Sequence, residues 1–184
     1  MLCVDELGPI SPRTFVPAPG WSRDGHRIKA PLEYSRGDDK VWVYGALRVR
    51  DGQELTLTAS SRNTQGYLQL LNAVEQANPD GDLYLIMDNL SSHTSAPIRS
   101  WLIDHPRVHQ VPIPIRACWL NLQEGWWRLF RREALAGQTF ADHTEIERAS
   151  RLATQQLNAR ARPWVWQRPA PTPRHYRYAF VYRI

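Results

Sequence analysis

Residues 83–111, LYLIMDNLSSHTSAPIRSWLIDHPRVHQV, contain in succession an apolar run, a helical pattern and a second apolar run. The run from Leu83 to Met87 is short and continuously apolar, which is typical of a strand buried on both faces. Pro97 suits the first turn of a helix over 96–104, and a short strand is expected at 108–111. Two strands joined in this way are expected to lie parallel, with a right-handed connection.

The flanking segments predict the rest of a mixed sheet. A short strand is expected at 2–7, and proline and glycine then interrupt regular structure to about residue 38. Strands at 40–50 and 54–59 form a predicted hairpin around Asp51-Gly52. Further helices are expected over 65–77, capped by Thr64, over 122–135, and over 143–158, capped by Asp142. Three antiparallel strands continued by two parallel ones, with helices on the sheet, make an α/β fold of the ribonuclease H-like kind.

The composition bounds the class of protein. The 184 residues fit one domain, which we place at 1–162, followed by a basic, proline- and arginine-rich tail at 163–184. The longest purely apolar run, Leu83 to Met87, is far below the roughly 20 residues of a membrane-spanning helix, and the first residues do not resemble a secretory signal. A cytosolic protein without a membrane partner is therefore expected. Cys3 and Cys118 show no metal-ligand spacing and are expected to be small buried residues.

The net charge of +5 is uneven along the chain. Arginines crowd the last quarter against few acids, namely Arg148, Arg151, Arg160, Arg162, Arg168, Arg174, Arg177 and Arg183. Such a cluster is a candidate phosphate-binding surface. The alternative is that the arginines reflect only a GC-rich genome.

Three carboxylates stand at positions suited to metal-dependent phosphodiester chemistry. Asp5 lies on the first predicted strand, Asp88 directly follows the central apolar strand, and Glu124 begins the helix predicted over 122–135. Ligands collect at the carboxyl ends of parallel strands in an open sheet. Carboxylates are the usual protein ligands of Mg²⁺, and two such ions can activate an attacking oxygen and stabilise a leaving one.

Each acid also has a structural explanation. Asp5 could be an exposed strand end, and Asp88 could initiate a turn through its own backbone. Glu124 follows Asn121 at the spacing of a capping box. His93 could assist beside the metals, donating to a phosphate or orienting water, or could be a solvated histidine ahead of a helix.

Tryptophans surround Glu124. Trp119, Leu122, Trp126, Leu129 and Phe130 recur at helical spacing, which favours a core stripe over a base-stacking platform. Glu124 and Trp127 lie on a neighbouring face, so Glu124 could look into a cleft.

Three blocks of the sequence resemble, in order, the acidic blocks of DDE transposases, in the bacterial insertion-sequence branch related to mariner elements. The blocks are Val4-Asp5-Glu6, Asp88-Asn89-Leu90-Ser91-Ser92-His93 and Trp119-Leu120-Asn121-Leu122-Gln123-Glu124. The family often has proline between the Asn and the Glu of the third block, where this chain has Leu122-Gln123. The resemblance implies a ribonuclease H-like catalytic domain that cuts element ends and joins the freed 3′-hydroxyl to target DNA.

The resemblance also implies the site and its partners. Asp5, Asp88 and Glu124 would hold two Mg²⁺ or Mn²⁺ ions, with Asn89 and His93 as further active-site residues. Double-stranded DNA, as element ends and target, is the expected partner, and a homodimer is one expected assembly. The family normally places helix-turn-helix domains before the first aspartate, and four residues precede Asp5 here, so a separately encoded DNA-recognition part is expected. The expected location is the cytoplasm, at the nucleoid, and the arginines assigned to DNA are Arg128, Arg131, Arg132, Arg160, Arg162, Arg168, Arg174 and Arg177.

Two other functions remain open on the sequence. The chain could be an inactive transposase remnant or a non-catalytic DNA-binding protein that uses its arginine-rich tail. It could also be another ribonuclease H-like nuclease with a different substrate.

Overall fold

The computed structural model describes residues 1–15 and 39–166 and contains a five-stranded mixed sheet. Its strands lie in the order β3-β2-β1-β4-β5. The pairs β1–β2 and β2–β3 are antiparallel, whereas β1–β4 and β4–β5 are parallel, so the predicted arrangement of three antiparallel and two parallel strands is confirmed. The strands are β1 Leu2–Ile10, β2 Val41–Arg48, β3 Gln53–Ala59, β4 Leu83–Met87 and β5 Val108–Pro112.

Helices follow the predicted segments closely. They are α1 Thr64–Ala77, α2 Ala96–Asp104, α3 Gln123–Phe130 and α4 His143–Asn158. The helix predicted over 122–135 is composite, because α3 continues as a π-helical turn over Arg131–Leu135. Asp142 caps α4 as predicted, accepting from the Glu145 N–H at 3.1 Å. Asn63 rather than Thr64 caps α1: its backbone is extended and its side chain accepts from the Gly66 N–H, while Thr64 is already helical.

Two apolar layers cover the two faces of the sheet. On one face Cys3 and Leu47 pack with Trp127 of α3 and Ile146 of α4. On the other face the strands pack against α1 and α2, with Val4, Leu85, Tyr67, Leu70 and Ile98 among the buried residues. Side chains of a strand alternate between the faces. Along β1, Asp5 therefore faces α3 and α4, and its neighbour Glu6 faces α1 and α2.

Two predictions about buried residues are wrong. Trp119 is 71% exposed, and Cys118 is also exposed, whereas Cys3 is buried as expected. Both exposed residues lie in the 3₁₀ turn Cys118–Leu120 that precedes α3. Helical spacing does not extend to residues outside the helix, so Trp119 does not continue the core stripe of Trp126 and Phe130.

The first residues of the predicted tail pack against the domain. The Trp164 N–H donates to the Val49 carbonyl at 3.0 Å, and Trp166 Nε1 donates to the Leu120 carbonyl at 2.8 Å. The loop expected up to residue 38 falls mainly outside the described residues, as do Arg168, Arg174 and Arg177. Within the part of the chain that is described, no helix is long and apolar enough to cross a membrane.

Candidate active site

The sheet brings Asp5 and Asp88 to the same edge. The parallel register of β1 and β4 pairs Leu2 with Leu85 and Cys3 with Ile86. Continued by two residues, this register sets Asp5 level with Asp88, the first residue after β4. Residues two apart in a strand share a face. Cys3 packs in the layer of α3, so Asp5 belongs to that side, whereas Asp88 follows the end of β4 at the carboxyl edge of the parallel strands.

Helix α3 brings Glu124 to the same face. Asn121 Nδ2 donates to the Val4 carbonyl at 2.9 Å, next to Asp5. One turn into the helix, Trp127 Nε1 donates to Asp5 Oδ2 at 3.1 Å. Glu124 stands three residues before Trp127, and residues at this spacing share one side of a helix. The two contacts of α3 with β1 therefore bracket Glu124 and hold it over the edge where Asp5 lies.

Glu124 does not form the capping box with Asn121 that its spacing suggested. The Asn121 side chain accepts from the Gln123 N–H at 3.2 Å while its amide binds β1. Within residues 1–15 and 39–166, no backbone N–H donates to the Glu124 carboxylate, and the residue is exposed. Its carboxylate is thus available for a ligand.

The electrostatics of Asp5 report the proximity of the other acids. The pKa of Asp5 is raised to about 7, first by burial and then by the negative charges of Glu124, Glu6 and Asp88, although the hydrogen bond from the Glu6 N–H lowers it. A cation would reverse these effects, because it stabilises ionised carboxylates. The donor set consists of carboxylate oxygens, which suits Mg²⁺ or Mn²⁺.

The described side chains do not by themselves form a closed metal centre. No group of three or more His, Cys, Asp or Glu residues among 1–15 and 39–166 is arranged to hold one ion. Asp88 uses its Oδ1 for other contacts, accepting from the Leu90 N–H at 3.1 Å and lying 3.2 Å from His93 Nδ1. The ligation of two ions by Asp5, Asp88 and Glu124 stays a prediction.

His93 lies inside the domain between two carboxylates. The side chain is fully buried, with Nε2 2.9 Å from Glu6 Oε1 and Nδ1 3.2 Å from Asp88 Oδ1. Its ring packs on Tyr67 at a centroid distance of 4.1 Å. The solvated alternative is therefore wrong, because the 3₁₀ turn Ser91–Thr94 carries the imidazole beneath the end of β4. With both ring nitrogens facing carboxylates, His93 orients Asp88 and has no free nitrogen for a phosphate.

The pKa values of this group agree with the contacts. Burial lowers the pKa of His93, but hydrogen bonds to Asp88 and Glu6 outweigh it and raise the pKa to about 9. The hydrogen bond from His93 in turn lowers the pKa of Asp88. The His93 imidazolium and the Asp88 carboxylate are therefore charged together near neutral pH.

Asn89 joins the ends of the two parallel strands. Its Nδ2 donates to the Ile113 carbonyl at 2.7 Å, just after β5. The bond fixes the loop that follows Asp88. The turn expected at Asp88 also exists, through the Leu90 N–H, so Asp88 keeps both its structural and its catalytic interpretation.

Sequence reasoning missed Gly45, which pairs with Asp5 across the sheet. A Cβ atom at this position would lie 2.5 Å from Gln123 Nε2, 2.6 Å from Glu54 Oε1 and 2.7 Å from the Trp127 ring. Glycine is needed because α3 approaches the sheet closely enough for Trp127 to reach Asp5. Glu6 and Trp127 were likewise not identified as site residues, since nothing in their local sequence indicates a polar partner.

The predicted DNA-binding arginines divide into three groups. Arg128 and Arg131 are exposed on and just after α3. Arg132 and Arg160 lie 3.5 and 2.6 Å from Glu133, and with Arg162 they line a cavity of about 330 Å³ beside Trp126 and Trp164. The remaining three are outside the described residues.

Comparisons with known proteins agree with this fold. The family described as DDE superfamily endonuclease matches residues 1–147. The Mos1 transposase paired-end complex with left transposon end is similar in fold, with a TM-score of 0.58 and 17% sequence identity, over 86% of this chain and 52% of that one. The Mos1 mariner paired-end complex with Mn gives a TM-score of 0.57 and 16% identity, over 86% and 52%. The chain thus spans about half the length of these structures, and a search of curated proteins gave no match.

Proposed function

Because the chain belongs to the DDE superfamily endonucleases, we propose that it is the catalytic domain of a DNA transposase. In this role it would cleave DNA strands at the ends of an insertion element and join the freed 3′-hydroxyl to target DNA. The observation that supports the proposal is that α3 is tied to Asp5 through Trp127, and that the charges of Glu124 and Asp88 raise the pKa of Asp5.

The proposed roles follow from the contacts. Asp5, Asp88 and Glu124 would hold Mg²⁺ or Mn²⁺, proposed as two ions, which supply activation of the attacking oxygen and stabilisation of the leaving one. Trp127 fixes Asp5 by donating to its Oδ2. His93, held by Glu6, fixes the rotamer of Asp88. Preorganised carboxylates of this kind cost little rearrangement when the ions and the phosphate arrive.

Double-stranded DNA is the proposed partner, as element ends and as target. Of the similar Mos1 structures, one is a complex with a transposon end and another is a strand transfer complex. Arg128 and Arg131 lie exposed beyond Glu124 on the same helical segment, where they can neutralise phosphates of a strand that reaches the acids. Trp119 is exposed just before α3 and is suited to stack on an unpaired base. A homodimer and a helix-turn-helix DNA-recognition part complete the proposal.

The test is nicking of supercoiled plasmid DNA by the full chain in the presence of Mn²⁺. We expect conversion to open circles, loss of this activity in Asp88→Asn, and retention in Asp104→Asn, which removes an exposed acid at the end of α2. Nicking that persists in Asp88→Asn would contradict the proposed site.

The same protein can be tested against the two other functions. Salt-sensitive DNA binding without any metal-dependent nicking would favour a non-catalytic DNA-binding protein. Preferred cleavage of RNA–DNA hybrids over duplex DNA would favour a different ribonuclease H-like nuclease.

A further inference from the structure

Gln123, the residue before Glu124, is buried completely although it is polar and opens a helix. Its Nε2 donates to Glu54 Oε1 at 2.7 Å, and its Oε1 accepts from the Leu47 N–H at 3.0 Å. Its own backbone N–H donates to Asn121. One side chain thus ties the first turn of α3 to both β2 and β3, while Asn121 ties it to β1.

Glu54 is an unusual partner for this contact. The side chain is buried, and within the described residues its Oε2 has no hydrogen-bond partner. Burial raises its pKa well above the usual range, more than the hydrogen bonds from Gln123 and the Ala46 N–H lower it. An unsatisfied buried polar atom costs about 1–3 kcal/mol. An apolar pair of the same volume would serve the core better, so stability alone does not account for these two residues.

The pair lies beside the proposed catalytic acids. Glu54, Gln123 and Trp127 converge over Gly45, whose strand partner is Asp5. The next residue after Gln123 is Glu124, whose exposed carboxylate has no backbone anchor of its own among residues 1–15 and 39–166. The direction of Glu124 is therefore set by how the first turn of α3 is held.

We propose that Gln123 and Glu54 form a positioning pair that fixes the first turn of α3 and so presents Glu124 to the ion shared with Asp5. Neither residue touches the substrate or the ion. The inference rests on the proposed function, because it assigns the pair to the same metal-binding site. It predicts that metal affinity depends on a hydrogen bond inside the core that no ligand contacts.

The variants separate the hydrogen bond from the volume of the side chains. Gln123→Met and Glu54→Leu remove it, whereas Glu54→Gln keeps the acceptor for Gln123. The matched control is Thr154→Val, which removes the 2.9 Å bond between Thr154 and Thr56 that links α4 to β3. This control loses a largely buried hydrogen bond at the same sheet without touching α3.

The experiment measures Mn²⁺ binding by the full chain, by isothermal titration calorimetry without DNA, together with urea unfolding. Removal of residues that orient metal ligands typically weakens affinity by 10–100-fold, and we expect about tenfold for Gln123→Met and Glu54→Leu. Glu54→Gln and Thr154→Val are expected to stay within about twofold of the original chain. The double variant Glu54→Leu/Gln123→Met should bind no more weakly than Gln123→Met alone, since the bond between Gln123 and Glu54 is already absent there.

The outcomes distinguish the two proposals. If the original chain binds no Mn²⁺, the proposed function fails and the inference fails with it. If the original chain binds Mn²⁺ and the folded variants bind it equally well, the inference alone is overturned. If Gln123→Met does not fold, Glu54→Leu, which keeps the bond between the Leu47 N–H and Gln123, carries the same test.

Discussion

Replacement of His93 by glutamine is expected to remove a pH dependence of stability from this domain. His93 is fully buried, and its two ring nitrogens face Glu6 and Asp88 at 2.9 and 3.2 Å. Both nitrogens must carry protons to donate to two carboxylates. His93 is therefore an imidazolium in the folded chain, and it loses its proton more easily in the unfolded chain.

The magnitude follows from the two pKa values of His93. Its pKa rises from 6.5 to about 9 on folding. Because the folded pKa is the higher one, the stabilisation is fully present below pH 6.5 and is lost as the pH rises through 9. One pH unit corresponds to about 1.4 kcal/mol. The free energy of unfolding should therefore fall by about 3 kcal/mol across this interval. The lowered pKa of Asp88 arises from the same contact with His93, so it is not counted again in this free energy.

The assay is urea unfolding followed by circular dichroism between pH 6.5 and 9, in EDTA, for the original chain and for His93→Gln. Asp5 titrates near pH 7 in the folded chain and contributes a slope of its own. That slope is common to both proteins, so the quantity to compare is their difference. The difference in unfolding free energy should shrink steadily as the pH rises. Parallel curves over the whole interval would refute the charged bridge between Glu6 and Asp88.

Three further predictions concern the site and its surroundings. Asp5→Asn should be more stable than the original chain at pH 8 without metal, by roughly 2–4 kcal/mol in urea unfolding. The reason is that the pKa of Asp5 rises from 3.8 to about 7 on folding, so keeping Asp5 ionised at pH 8 costs folding free energy. Equal stability of the two proteins would contradict the burial of this charge. Gly45→Ala should cost about 1–3 kcal/mol and reduce nicking, since the methyl group displaces Trp127 from Asp5; an unchanged nicking rate would count against that contact. Trp119→Ala should leave the unfolding curve unchanged, because the side chain is 71% exposed. It should also weaken single-stranded DNA binding by fluorescence anisotropy about tenfold, with Trp119→Phe as the control, and equal affinity would exclude stacking.

The local sequence determined most of the fold. The continuous apolar run of β4 and the cap at Asp142 act over a few residues, so their effect can be predicted without tertiary contacts. The bounds of β4, α2 and α4 agree with the predicted segments for the same reason. The parallel pairing of β4 with β5 follows from the short helical connection between them.

The candidate site was predictable only in part. Asp5, Asp88 and Glu124 were identified from their places at the edges of predicted elements and from the resemblance of their blocks to a known family. The environment of each acid was not predictable. Trp127 contacts Asp5 across 122 residues of sequence, and Glu6 contacts His93 across 87. No local pattern encodes partners at that distance.

What the sequence determined by itself was therefore the order and type of the elements and the edge of the sheet at which the acids stand. The tertiary structure alone decided that His93 is buried as a charged bridge, that Trp119 is exposed, and that Gly45 admits α3 against β2. The physical reason is that burial and hydrogen bonding depend on which layers meet. Periodicity specifies the face of an element that is buried, and only packing specifies which atoms that face contacts.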